Sequence, residues 1–142
     1  IVTIEDNFIN NISKFNKALE ESSHELSGKR QSNLVESYRL SSIQARRIYR
    51  LIFVIFYYEF ENENINNLQI KQVLQSILTI MNQFNTDIEN EIVIKDTFIK
   101  LEQLIQEIPM PTVVKTMQHI KGELETLQSL LISSKQRMIL NH

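Results

Sequence analysis

The sequence has no cysteine and no tryptophan, and only two glycines and two prolines in 142 residues. Each absence removes a class of protein. Without cysteine there is no disulfide framework, no thiolate zinc site and no cysteine nucleophile. Two isolated glycines, Gly28 and Gly122, cannot build a phosphate-cradling loop or a dinucleotide fingerprint. So few turn-forming residues also argue against a sheet of many short strands. Neither sign of charge dominates. The 15 lysines and arginines against 17 aspartates and glutamates leave a formal net charge of -2, which gives no general attraction to nucleic acid or acidic lipid. No apolar run approaches the roughly 18 residues of a membrane span. The nearest, residues 51–58 between Arg50 and Glu59, reads as a buried helix segment.

What the chain does have is helical periodicity. Ile4, Phe8, Ile12, Phe15, Leu19 and Leu26 fall on one face and predict a helix over about 4–26, with Thr3 as N-cap and Gly28 as C-cap. Leu34, Tyr38, Ala45, Ile48, Ile52 and Phe56 mark a second helix over about 32–60. It is apolar nearly all round from residue 48 onward and is expected either to be the most buried helix or to offer a surface to a partner. The Asn-rich stretch 62–67 predicts a turn. Leu68, Val73, Ile77, Met81, Phe84, Ile88 and Ile92 begin a third helix over about 68–108, and Phe98, Leu101 and Ile105 extend it. Unbroken, that helix would be about 60 Å long, which implies either a kink or break near 90–96 or an elongated coiled-coil shape. Pro109 and Pro111 end it.

The last helix, over about 112–140, carries the most regular stripe. Val113, Met117, Ile120, Leu124, Leu127, Leu131, Ser134 and Met138 alternate gaps of four and three, a heptad pattern. Gly122 lies off that stripe, either as a tolerated surface glycine or as the site of a close helix crossing. The fold expected is all-α: an elongated four-helix bundle or helical hairpin assembly with coiled-coil character, in a single domain over 1–142. A chain that begins on Ile1 is also expected to be a processed product or an excised segment.

Little in this pattern suggests chemistry. The three histidines, His24, His119 and His142, show no converging ligand set, so no metal and no cofactor are expected. His119-Ile120-Lys121-Gly122 resembles the His-x-x-Lys-Gly core of histidine phosphotransfer domains, but it is one residue short, which turns Lys and Gly by about 100° around the helix. Ser23-His24-Glu25-Leu26 resembles the start of a histidine-kinase phosphoacceptor box, yet Ser27, Gly28 and Lys29 stand where Arg and Thr-Pro should follow. The acidic groups Glu20-Glu21, Glu59-Glu61-Glu63 and Asp87-Glu89-Glu91 read as solvated faces rather than as paired catalytic carboxylates. No enzyme activity is expected.

One charge cluster is more informative. Lys29, Arg30, Arg39, Arg46, Arg47 and Arg50 hold six of the fifteen basic residues, with Glu36 the one acid among them. Arg39, Arg46 and Arg50 share a helix face with Arg47 at its edge. They suit either a solvated face paired with acids on a neighbouring helix or partner, or an anion-contacting surface. Ser27-Gly28 and Ser37-Tyr38-Arg39-Leu40 resemble the outer parts of the ligand motif in the four-helix periplasmic domain of bacterial nitrate and nitrite sensor kinases. The resemblance implies that Arg39 binds an anion across a dimer interface. The spacing between the two parts is longer here and the Arg-Met-Gln centre of that motif is absent.

Two functions are therefore expected. The first is a non-enzymatic helical protein–protein interaction or scaffold module, a segment or subunit of a larger assembly, acting with a protein partner or by self-association. Its surface is expected to draw on Arg39, Arg46, Arg47, Arg50, Phe53, Tyr57, Leu124, Leu127 and Leu131. The alternative is a ligand-sensing, anion-binding helical ectodomain of a bacterial membrane receptor. Nucleic acid is not an expected partner, because the net charge is not positive and the tyrosines beside the arginines sit among Ile and Phe and read as buried rather than as stacking platforms. Cysteine usage leaves the compartment open, with the cytoplasm slightly favoured.

Overall fold

The computed structural model describes residues 32–61 and 68–140 and the separate positions 10, 13, 14 and 17. Within them, side chains are described for residues 10, 13, 14, 17, 36, 39–55 and 68–135. Four helices follow in order: α1, Ser32–Glu61; α2, Leu68–Thr86; α3, Glu91–Gln106; and α4, Pro111–Leu140. No strand occurs among the described residues. Of the helix predicted over 4–26, positions 10, 13, 14 and 17 are described, each helical and exposed. The Gly28 cap and the Asn-rich turn at 62–67 lie outside the described residues.

Each helix owes its place to one apolar stripe. On α2 it is Ile70, Val73, Leu74, Ile77, Ile80, Met81 and Phe84, at gaps of three and one that track a 3.6-residue turn. On α3 it is Ile94, Phe98, Leu101 and Ile105. On α4 it is Val113, Met117, Ile120, Leu124 and Leu127, continued by half-buried Leu131 and by Ser134. The Ser134 hydroxyl is buried but donates to the Leu130 carbonyl at 2.8 Å. On α1 it is Ser41, Gln44, Ala45, Ile48, Ile52 and Ile55. The apolar members of these stripes form one core.

The long helix expected over 68–108 is instead an antiparallel hairpin. The chain turns at 87–90, just ahead of the region where a kink was expected, and the two arms pack side by side. Gln83 Nε2 donates to Thr97 Oγ1 at 3.1 Å, and the Phe84 and Phe98 rings lie 6.3 Å apart. Asn90 makes the turn possible. It caps α3, its side-chain oxygen accepting from the Val93 N–H at 3.3 Å, and Glu91 adds a negative charge at the positive end of the helix. The turn's own N–H groups are satisfied locally, from Asn90 to the Asp87 carbonyl at 3.1 Å and from Glu91 to that of Glu89 at 2.9 Å.

A second hairpin follows directly. Glu107 and Ile108 close α3 with short backbone bonds to Leu104 and Ile105, and Pro111 opens α4 where a missing N–H does no harm. Antiparallel pairing of α3 with α4 is marked by Gln118 Nε2 donating to Glu102 Oε1 at 3.0 Å, by Lys121 Nζ 3.3 Å from Glu102 Oε2, and by the Lys135–Glu89 ion pair at the far end. α4 packs against each of the other three helices. α1 packs against α4 and against no other described helix.

Gly122 is a surface glycine. A Cβ built there would have nothing within 4 Å, so no close helix crossing depends on it.

Candidate functional site

α1 has two faces with different chemistry. The inner one meets α4 through the stripe given above, and a polar residue fixes its register. Buried Gln44 donates from Nε2 to the Glu123 carbonyl at 2.9 Å and also to the Glu123 carboxylate. A buried amide that reaches both main chain and side chain of one residue holds the two helices in a single alignment, since sliding would leave it unpaired.

The outer face mixes charge with exposed apolar surface. Arg39, Arg46, Arg47 and Arg50 are exposed, as sequence spacing predicted, and so are Leu40, Ile43, Phe53 and Val54. The described part of this apolar segment, residues 48–55, is therefore buried on one side and open on the other. Val54, next to fully buried positions, is 58% exposed. The reason is that α1 has one neighbour among the described helices, which can cover only one stripe.

The arginines do not act alike. Arg39 is engaged by Glu36, one turn earlier on the same helix, with Nε 2.9 Å from Oε2. Hydrogen bonding to this guanidinium holds the Glu36 carboxyl below the usual glutamate range and raises the Arg39 value. The acid that balances Arg39 thus comes from its own helix rather than from a neighbour. Arg47 and Arg50 make no hydrogen bond or ion pair among the described residues. With Leu51, Val54, His119 and Glu123 they line a shallow, open groove between α1 and α4, about 250 Å³ in volume. The floor is mainly apolar. Arg47 and Arg50 form one lip, while Glu123 on the other is held by Gln44 and lies 3.4 Å from His119 Nε2.

The remaining residues expected to bind a partner are placed differently. Phe53 is partly exposed and meets Tyr49 edge-on, ring centroids 4.5 Å apart. The Tyr57 side chain lies outside the described residues. Leu124 and Leu127 are corrected: both are fully buried in the chain's own core, because α4 turns its heptad stripe toward its own neighbouring helices. Leu131 is half-buried against the same core. His119 and Glu123 complete the groove but carried no such signal in the sequence, since only the α1–α4 register brings them opposite Arg47 and Arg50.

Among the described residues, no group of three or more metal-ligating side chains converges, and no helix is long and apolar enough to cross a membrane. No family model, curated protein or solved structure matches this chain.

Proposed function

We propose that this chain is a non-enzymatic helical module for protein–protein interaction, a segment or subunit of a larger assembly. One observation carries the reading: Leu40, Ile43, Phe53 and Val54 remain exposed beside the arginines on the outer face of α1. Apolar surface rimmed by polar groups is the mark of an interaction site more than of a solvated helix face. The test is sedimentation of the chain over a concentration range, together with co-purification of the full-length protein from its source. Self-association, or a co-purifying protein, that is lost in the Ile43→Asp/Val54→Asp variant supports the reading. A chain that stays monomeric, and whose variant co-purifies with the same proteins as the unaltered chain, overturns it.

A ligand-sensing, anion-binding ectodomain is the second reading, favoured by the arginine pair on the groove lip. It rests on Arg47 and Arg50 rather than on Arg39, whose guanidinium Glu36 already holds. Inorganic and carboxylate anions should then raise the melting temperature, and Arg50→Ala should remove the rise. Melting temperatures unchanged across nitrate, sulfate, phosphate and citrate would dispose of this reading.

A further inference from the structure

The outer face of α1 carries a second stripe with a definite order. Ile43, Arg47, Arg50 and Val54 succeed one another at gaps of four, three and four, the spacing along which two helices meet. An exposed apolar residue thus stands on either side of two arginines, and the groove against α4 opens beside Arg47, Arg50 and Val54. Glu36 is the one acid in residues 29–50, and it is already engaged by Arg39. Nothing among the described residues neutralises Arg47 or Arg50.

We infer that the Ile43–Arg47–Arg50–Val54 stripe and its groove receive an amphipathic helix from a different protein, one whose apolar ridge is flanked by acidic residues. This rests on the interaction-module reading and names the partner's chemistry. The apolar ridge seats over Leu51 and Val54 and along Ile43. Carboxylates on its flank reach Arg47 and Arg50, whose planar guanidinium groups accept a carboxylate through two parallel hydrogen bonds. Glu123 on the opposite lip repels the same carboxylates and so fixes which flank faces which lip. An anionic bilayer fits less well, because the groove carries a carboxylate on one lip. A second copy of this chain also presents exposed acids, Asp87, Glu91 and Asp96 among them, and is an outcome the experiment separates from the Glu peptide.

The experiment uses two synthetic helical peptides with one shared apolar seam, flanked by Glu in the first and by Lys in the second. Each is titrated by fluorescence anisotropy against the whole chain and against its Arg47→Glu/Arg50→Glu variant, with circular dichroism verifying that the variant keeps its helices. The chain should bind the Glu peptide at least about tenfold more tightly than the Lys peptide. The preference should weaken with added salt and reverse in the variant. The inference is overturned if neither peptide binds, if both bind alike, or if the preference survives the charge reversal. It is equally overturned if phosphatidylserine vesicles or a second copy of the chain, rather than the Glu peptide, occupy the face. A natural partner that still co-purifies with the charge-reversed variant would sink this inference and leave the interaction-module reading standing.

Discussion

Gly122 sits in the middle of a 30-residue helix, exposed, with a normal hydrogen-bonded backbone and open space where a side chain would go. Glycine there contributes only conformational freedom to the unfolded chain. Gly122→Ala should therefore stabilise the protein by about 1 kcal/mol, read as a higher urea midpoint with an unchanged slope. Glu102 is the opposite kind of residue. Its carboxylate accepts from Gln106 and Gln118 at 3.0 Å each and faces Lys121. The two amide donors, with the lysine after them, hold its pKa below the usual glutamate value, while burial works the other way. A carboxyl lowered in the folded state stabilises fully above its unfolded value, and that contribution fades as pH falls through the folded value. The chain should thus exceed Glu102→Gln in stability near neutral pH, and the gap should narrow as urea midpoints are measured at pH values falling below the ordinary glutamate value of about 4.3. A gap independent of pH would show that the charge is not what matters.

At the scale of elements, the α2–α3 turn depends on one cap. Asn90→Ala removes the acceptor for the Val93 N–H and should cost about 1 kcal/mol, measured by thermal unfolding. Asn90→Asp, which keeps an acceptor, should cost far less. This turn also shows why the hairpin was hard to read in the sequence. Phe84, Ile88 and Ile92 continue the helical spacing straight through it, and no glycine or proline marks the bend. In the structure Ile92 is 76% exposed and the α3 stripe starts afresh at Ile94. The apolar pattern that predicted continuity was thus partly accidental, and the deciding signal was Asn90 three residues before Val93. The Pro109–Pro111 break was legible because proline removes a donor whatever surrounds it. The heptad stripe of α4 was legible as a buried seam, but spacing alone cannot say whose helix buries it. Leu124 and Leu127 face the chain's own core for that reason. Arg47 and Arg50 could be placed on an exposed face from spacing, whereas the groove beside them needs the α1–α4 alignment set by Gln44.

For the molecule as a whole, α4 is the common element, touching every other described helix. The two halves it joins can be followed separately, because all four tyrosines, Tyr38, Tyr49, Tyr57 and Tyr58, lie in α1 and the chain has no tryptophan. If α4 couples the halves, the tyrosine signal in the near ultraviolet and the helix signal in the far ultraviolet should melt together. Leu124→Ala, which opens a cavity in the core, should lower both transitions equally, by about 2–5 kcal/mol. A tyrosine transition that comes first would mean that α1 detaches while the two hairpins hold.

The pairing of α1 with α4 also has a consequence in time. Gln44 and Glu123 are 79 residues apart, whereas α2, α3 and α4 each meet a neighbour across a short turn. During synthesis at ~5–20 residues per second, α1 leaves the ribosome several seconds before the helix it packs against exists. Its stripe of Ala45, Ile48, Ile52 and Ile55 must wait through that interval without its α4 partner, and the neighbouring arginines keep the waiting segment charged and dispersed.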